Sequence, residues 1–176
     1  MVKCTNKAIF FDRDGVINKP IGRNGRPYAP KLLKDFTIYS NVLNTMVNLK
    51  NKSYIIIVVT NQKDVGAGIT SKNILDCMHK RMKNELPIDD IKVCTCTDNC
   101  ECYKPKPGML IESKNKWFLD LANSFIIGDS WRDIGAGINA GCKTILIDRE
   151  YNKSMPYKPD YRVLNLKEAE LKILDN

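Results

Sequence analysis

The sequence predicts an α/β fold, a Rossmann-like three-layer sandwich in which a parallel sheet carries helices on both faces. Two observations predict it. Short apolar runs, typical of strands buried on both sides, recur along the chain. Stretches with the apolar spacing of amphipathic helices lie between them, and alternating strands and helices form parallel sheets. The 176 residues suffice for one core, so we expect a single domain over residues 1–176.

Five apolar runs are the predicted strands of this sheet. KAIFFD at 7–12 is a short buried run that ends in an acid, and SYIIIVVT at 53–60 is rich in β-branched residues. The other three are residues 91–96, 124–129 and 143–148. Residues 149–161 are polar and contain proline, which predicts a loop, and the tail at 162–174 predicts a short strand and a final helix.

Four stretches between the strands show helical spacing of apolar residues. The apolar positions are Val42, Leu43, Met46, Val47 and Leu49 in the first, Ile74, Leu75, Met78 and Met82 in the second, Leu110, Ile111, Trp117, Phe118 and Leu121 in the third, and residues 134–140 contain the fourth. Ser71 is a plausible N-cap of the second helix, and Pro107 lies near the first turn of the third.

The net charge of +8 favours anionic partners such as phosphorylated metabolites, nucleic acid or acidic membrane surfaces. A lysine-rich soluble surface explains it equally well, and the dispersed lysines disfavour nucleic acid. No apolar run reaches the roughly 18 residues of a membrane span. The first residues lack the apolar segment of a signal peptide. We therefore expect a cytosolic protein without a membrane partner.

Acids and hydroxyls follow three of the predicted strands. They are Asp12 and Asp14 after the first strand, Thr60 and Asn61 after the second, and Asp129 and Asp133 after the fourth. The carboxyl ends of parallel strands meet at one edge of a sheet, where ligands of such folds bind. A single aspartate after a strand is more often a turn or cap residue. Several carboxylates together repel each other unless a cation joins them, and hard oxygen ligands suit Mg²⁺.

Four of the seven cysteines lie close together, in the pattern C-x-C-x₃-C-x-C, and Lys-Pro pairs follow them directly. They are Cys94, Cys96, Cys100 and Cys102. A cytosolic chain keeps its thiols reduced, so a metal is favoured over disulfides, with free thiols as the remaining alternative. Four soft thiolates favour Zn²⁺, and a closed coordination sphere indicates a structural zinc in a loop at 94–102.

Four motifs in this order resemble those of the haloacid dehalogenase superfamily of phosphohydrolases over nearly the whole chain. They are DRDG at 12–15, TN at 60–61, KPKP at 104–107 and GDSWRD at 128–133. The cysteine loop before the third motif is similar to that of a capless subgroup. This subgroup includes heptose bisphosphate phosphatases and the phosphatase part of histidinol-phosphate enzymes. The segments between the motifs are only long enough for a helix and a strand each, so we expect no separate cap domain.

The resemblance implies a role for each matching residue. Asp12 is the expected nucleophile, which forms an aspartyl-phosphate, and Asp14 the expected general acid and then base. Lys104 is preferred over Lys106 as the cation that stabilises the transferring phosphoryl group. The expected Mg²⁺ ligands are Asp12, the Asp14 main-chain carbonyl and Asp129, with Asp133 in support, and Thr60 and Asn61 are expected to bind phosphate.

The sequence departs from the subgroup in the region that binds substrate. Cys96 occupies a position where histidine is usual, and Tyr103 one where an arginine implicated in substrate recognition is usual. KDVGAG at 63–68 also replaces a more usual Ser-Gly-Ile-Ala-Arg-Gly run. Substrate contacts are therefore expected from Tyr103 and from basic residues that compensate, namely Lys63, and Arg23 and Arg26 in the Gly-rich loop at 18–30.

The leading hypothesis is a Mg²⁺-dependent phosphatase of a small phosphorylated metabolite, foremost a heptose phosphate or bisphosphate. The alternatives are a histidinol-phosphate phosphatase and a polynucleotide 3′-phosphatase. The positive charge fits the polynucleotide enzyme, but the cysteine loop is not expected in it. A zinc-knuckle binding module on a decayed scaffold is a non-enzymatic alternative that the intact acids and Lys104 oppose. We expect a monomer.

Overall fold

A six-stranded parallel sheet forms the centre of the computed structural model, which describes residues 5–23, 26–97, 100–151 and 155–176. The side chains of Arg23 and Arg26 lie outside this description. The strands of the sheet are β1 (Lys7–Phe11), β4 (Tyr54–Asn61), β5 (Asp90–Cys94), β6 (Phe125–Gly128), β7 (Lys143–Ile147) and β8 (Tyr161–Val163). Every neighbouring pair is parallel, as the alternation of strands and helices predicts.

The strand order β5-β4-β1-β6-β7-β8 reverses direction beside β1. After β1, the strands β4 and β5 lie in turn on one side of β1, and β6, β7 and β8 then lie in turn on its other side. Ligands of open α/β sheets bind in the crevice at such a switch point, outside the carboxyl ends of the strands. The fold therefore places the residues that follow β1, β4 and β6 around one crevice.

Helices cover both faces of the sheet. They are α1 (Val42–Asn51), α2 (Lys63–Gly66), α3 (Lys72–Glu85), α4 (Gly108–Trp117), α5 (Trp131–Ala140) and α6 (Leu166–Leu174), with short 3₁₀ turns at Leu33–Asp35 and Leu121–Asn123. Alternate residues of β1 point to opposite faces. Ile9 and Phe11 join the core beneath α1, α3 and α6, whereas Ala8 and Phe10 join the core beneath α4 and α5. The predicted three-layer fold is confirmed.

Three local features differ from the sequence prediction. The expected loop at 18–30 contains a small antiparallel hairpin of β2 (Ile21–Arg23) and β3 (Arg26–Tyr28), whose short strands carry no apolar alternation. The third helix ends before Phe118, which takes the left-handed conformation with φ +53°. The fourth begins earlier, at Trp131, because Ser130 and Asp133 form a capping box.

Among the residues that the structure describes, none of the helices has both the length and the apolar composition that crossing a membrane requires.

Candidate active site

Lys104 is a buried cation at the centre of the crevice. Its side chain is 2% exposed, and its ammonium lies 2.7 Å from Asp12 Oδ1 and 2.6 Å from Asp133 Oδ1. It also donates a hydrogen bond of 2.8 Å to the Val59 carbonyl. Burial alone would lower the pKa of Lys104, but the Asp12 and Asp133 carboxylates raise it above its ordinary value. Lys104 therefore carries a fixed positive charge.

Asp12 is the first residue after β1. Its main-chain N–H donates to the Ile127 carbonyl at 2.9 Å, which continues the pairing of β1 with β6 and fixes the position of the carboxylate. Burial raises the pKa of Asp12 well above its usual range, and the neighbouring Asp133 carboxylate raises it further, against the opposing effect of Lys104. A second cation beside Asp12 would favour its charged form.

Asp129 is the first residue after β6, and Asp133 lies in the first turn of α5. Asp133 Oδ2 accepts hydrogen bonds from the Ser130 N–H at 3.1 Å and from Ser130 Oγ at 2.8 Å. The capping box therefore also orients the other carboxylate oxygen, Oδ1, which contacts Lys104. Gly128 allows Asp133 to pack closely against the end of β6, because a Cβ at residue 128 would lie 2.1 Å from Asp133 Cβ. Burial, followed by the Asp133 charge, raises the pKa of Asp129 to about 7. The Tyr151 hydroxyl donates to Asp129 Oδ2.

Gly15 brings the loop after β1 against Asp129. It has φ +93°, and a Cβ at this position would lie 1.8 Å from Asp129 Oδ2. The positive φ and the close approach both require glycine. The glycine of the Asp-x-Asp-Gly motif is therefore required by its contact with Asp129, in addition to the turn that it forms.

The acids could hold a divalent cation. One carboxylate oxygen from each of Asp12, Asp129 and Asp133 lies within 4.8 Å of the others. The oxygen donor set suits Mg²⁺. Burial and then the Asp133 carboxylate raise the pKa values of Asp12 and Asp129, and a bound cation would favour the charged form of both. The Asp133 oxygens already accept hydrogen bonds from Lys104 and Ser130, which leaves Asp12 and Asp129 as the better placed ligands.

Three side chains orient the Asp14 carboxylate. Arg13 Nη2 lies 2.9 Å from both Asp14 oxygens, Asn18 Nδ2 donates to Oδ1 at 3.0 Å, and Gln62 Nε2 donates to Oδ2 at 2.8 Å. Arg13 is itself fully buried, and its Nη1 lies 3.3 Å from His79 Nε2. Burial, and then the Arg13 charge, lower the pKa of His79 to about 4, so the imidazole is neutral and can accept this hydrogen bond.

The two predicted phosphate-binding residues at the end of β4 differ in their contacts. Thr60 is buried, and its hydroxyl accepts a hydrogen bond of 2.9 Å from Gln62 Nε2. Asn61 contacts the main chain of Lys104 at both ends of its amide. Asn61 Oδ1 accepts from the Lys104 N–H at 3.1 Å, and Nδ2 donates to the Lys104 carbonyl at 3.2 Å. Asn61 thus holds the backbone that carries the buried lysine.

Two adjoining cavities open over these residues. The inner cavity, of about 220 Å³, is lined by Asp12, Asp14, Pro27, Ala29, Thr60, Asn61, Tyr103, Lys104, Ser130, Arg132 and Asp133. The outer cavity, of about 460 Å³, is lined by Asp14, Pro20, Pro27, Tyr28, Ala29, Asp129, Ser130, Trp131, Arg132 and Tyr151. Tyr103 thus reaches the inner cavity, whereas Lys63 is exposed at the start of α2 and lines neither. Pro27 and Tyr28 bring the hairpin to the cavities, but the predicted contacts of Arg23 and Arg26 lie outside the described side chains.

The four clustered cysteines converge beside the crevice. Their Sγ atoms lie within 4.8 Å of one another, with separations of 3.4 Å for Cys94–Cys100, 3.3 Å for Cys100–Cys102 and 3.7 Å for Cys96–Cys102. Tetrahedral Zn²⁺ with Zn–S bonds of about 2.3 Å separates its sulfurs by roughly 3.8 Å. Cys94 and Cys102 lie closer, with their sulfurs 2.6 Å apart. None of the four is in a disulfide, so the cluster has the donor set of a zinc site, with sulfurs closer together than bound zinc would hold them.

The doubly wound sheet presents an Asp-x-Asp pair, a buried lysine and further acids at one edge, which is the arrangement that the phosphohydrolase motifs predict. A family model described as HAD-hydrolase-like matches residues 101–169. The D-glycero-alpha-D-manno-heptose-1,7-bisphosphate 7-phosphatase of Campylobacter jejuni is 34% identical over 167 residues, which cover 92% of each chain. The chain belongs to the haloacid dehalogenase superfamily of phosphatases, as its motifs predict.

Further relatives agree with this membership. The D-glycero-beta-D-manno-heptose-1,7-bisphosphate 7-phosphatase of Helicobacter pylori is 30% identical, with 81% of this chain and 83% of that protein covered. A crystal structure of the D,D-heptose 1,7-bisphosphate phosphatase from B. bronchiseptica with magnesium and phosphate has a TM-score of 0.82 at 26% identity, with 96% of this chain and 98% of that chain covered. Phosphatases of this superfamily use Mg²⁺.

Proposed function

We propose that this phosphatase hydrolyses a phosphorylated sugar, foremost a heptose bisphosphate, through an aspartyl-phosphate on Asp12. The observation that carries the mechanism is the contact of Asp12 with the buried ammonium of Lys104, at the switch point of the sheet. The names of the relatives from C. jejuni and H. pylori support the substrate. The inner cavity offers space for the phosphoryl group, and the outer cavity for the sugar.

In the first step an oxygen of Asp12 attacks phosphorus and the bond from phosphorus to the sugar oxygen breaks. Asp14 donates a proton to that departing oxygen. The phosphoryl group brings negative charge into the inner cavity, and Lys104 provides the matching positive charge without reorganisation, since its position is already fixed by Asp12, Asp133 and Val59.

In the second step water attacks phosphorus, the bond from Asp12 to phosphorus breaks, and Asp14 accepts the proton of the water. Inorganic phosphate leaves and the Asp12 carboxylate is restored. The donors Arg13, Asn18 and Gln62 hold Asp14 as a hydrogen-bond acceptor, which is the state that this second step requires.

Two metals belong to this proposal. Asp12, Asp129 and the Asp14 carbonyl would hold Mg²⁺, which supplies positive charge between nucleophile and phosphate when bound. Asp133 then acts by orienting Lys104. The four cysteines would hold a structural Zn²⁺. The zinc would stiffen the loop at 94–102, which leads to Lys104. Thr60 and Tyr103 are the proposed substrate contacts within the inner cavity.

The test is a comparison of phosphate release from heptose bisphosphate, heptose and hexose monophosphates, histidinol phosphate and a 3′-phosphorylated oligonucleotide, each with Mg²⁺. We expect the highest kcat/KM for a heptose phosphate. Preference for the oligonucleotide, with affinity that falls steeply as salt rises, would replace the proposal with a nucleic-acid phosphatase. Preference for histidinol phosphate would keep the mechanism and overturn the substrate.

A further inference from the structure

Arg132 is a basic side chain at the junction of the two cavities. It lies in the first turn of α5, immediately before Asp133, and lines both the inner and the outer cavity. Within the described residues, Lys104 and Arg132 are the basic side chains that line these cavities. Lys104 lines only the inner cavity, where it lies beside Asp12 and serves the reacting phosphate. Among the described side chains, Arg132 is therefore the cation that a second anionic group of the substrate can reach.

The aromatic neighbours of Arg132 hold its guanidinium in place. Its Cζ lies 4.8 Å from the centre of the Trp131 ring, and Trp131 in turn stacks on Tyr157 with ring centres 6.3 Å apart and 21° between the planes. In the part of the chain that the structure describes, Arg132 forms no ion pair or hydrogen bond with a protein group. Stacking restricts the side chain while its N–H donors stay available, which prepares it for an anion.

The charge of the crevice explains why a second anionic group of the substrate would need such a cation. Asp14 and Asp129 line the outer cavity, and acidic side chains do not attract a phosphate unless a cation lies beside them. Arg13 neutralises Asp14 from the buried side, but no other basic side chain among the described residues faces the outer cavity except Arg132. A guanidinium can bind a phosphate through two parallel hydrogen bonds.

We infer that Arg132, supported by Trp131, forms a subsite for the non-reacting phosphate of a bisphosphorylated sugar. The inference rests on the proposed function, since it assumes that the other phosphate occupies the inner cavity beside Asp12. It assigns to α5 the recognition that the subgroup places at the position of Tyr103, where this chain has no charge. Arg132 is a specificity-determining residue for substrates with two phosphates.

The experiment compares kcat/KM for a heptose 1,7-bisphosphate with that for the heptose 7-phosphate. In Arg132→Ala we expect a loss of about 100-fold on the bisphosphate, mainly through KM, because a charged hydrogen-bonded contact is removed. The monophosphate should change less than about twofold, since it has no group at this subsite. Arg132→Lys should recover part of the loss, because it keeps the charge without the fork of donors.

Arg162→Ala is the matched control, because Arg162 is an exposed arginine that pairs with Asp148 away from the crevice. It should leave both substrates unchanged. Equal losses on both substrates in Arg132→Ala, or no loss on either, would overturn the subsite and leave the phosphatase assignment intact. A wild-type protein that hydrolyses neither heptose phosphate, but releases phosphate from another substrate, would overturn the proposed substrate and the subsite together.

Discussion

Lys104 shows how single residues build this site. A buried ammonium is costly unless it is paired and hydrogen-bonded, and Lys104 meets this condition with two carboxylates and one carbonyl. Asn61 adds two hydrogen bonds to its main chain. A residue of the Thr-Asn motif therefore acts on the position of the lysine, which makes it a positioning residue in this structure.

Replacing Asn61 tests this positioning role. In Asn61→Ala the Lys104 backbone loses both hydrogen bonds, and we expect kcat to fall about tenfold, since small displacements of a group that stabilises the transition state are costly. KM should change little, because the contact is not with substrate. Steady-state kinetics measure both parameters.

The control for Asn61 is Asn123→Ala, which removes an exposed amide that bonds Asp120 at the surface. It should leave kcat unchanged. A large rise in KM with unchanged kcat in Asn61→Ala would instead show that Asn61 binds the substrate, as the sequence motif alone suggests.

The sequence predicts some site residues and not others for a physical reason. Asp12, Asp14 and Asp129 follow strands, so their meeting at the sheet edge is implied by a parallel sheet. The contact of Arg13 with His79 joins residues 66 positions apart and depends on how α3 packs near the loop after β1. No local pattern encodes that packing. The lone histidine of the chain and the basic residue between two aspartates were the available signals.

The cysteine loop is the element that connects β5 to Lys104. It begins at the buried Cys94 and ends two residues before Lys104, and Cys96, Cys100, Cys102 and Tyr103 pack against the core beneath α4 and α5. The structure brings the four sulfurs together, which the spacing C-x-C-x₃-C-x-C allowed but did not require. A zinc ion would link the two ends of the loop.

A double variant tests the role of this loop. Cys100→Ser with Cys102→Ser removes two of four ligands, so we expect loss of about one zinc per chain, because the tetrahedral site is incomplete. We also expect a lower melting temperature and a lower kcat, since Lys104 follows the loop directly. Metal analysis, thermal unfolding and kinetics measure the three effects.

Cys77→Ser is the control for the loop variant, because Cys77 is an exposed free thiol on α3. It should keep zinc, stability and activity. Wild-type protein that is purified in the presence of zinc and contains none would show that the cluster consists of free thiols. Zinc loss with full activity would show that the metal does not position Lys104.

The ends of the helices and strands are the part of each element that apolar spacing in the sequence predicts least well. The capping box of Ser130 and Asp133 starts α5 at Trp131, and the same Asp133 contacts Lys104. The same residue therefore caps the helix and pairs with the buried lysine. Apolar spacing alone predicts a later start for this helix, because the pattern detects only buried apolar positions. The first turn of α5 faces the cavities instead of the core. Apolar spacing likewise does not predict the hairpin of β2 and β3, because these short strands carry no apolar alternation.

At the scale of the whole molecule, the sequence predicts layers but not strand order. Runs of Ile, Val and Phe indicate buried parallel strands, and the helices between them indicate the two outer layers. The pairing of β1 with both β4 and β6 is decided by long-range packing, which no single run encodes. The outer cavity likewise arises from distant segments, the hairpin, the start of α5 and Tyr151.

The central claim is that Asp12 carries the phosphoryl group, and Asp12→Asn tests it most directly. Phosphate release from heptose bisphosphate should fall at least about 1000-fold, because an amide is a poor nucleophile for phosphorus. The melting temperature should change little, because Lys104 keeps its pair with Asp133 while one of several neighbouring buried carboxylates is removed. Asp175→Asn, the same change at an exposed position, should retain full activity. A folded Asp12→Asn variant with full phosphatase activity would contradict the account.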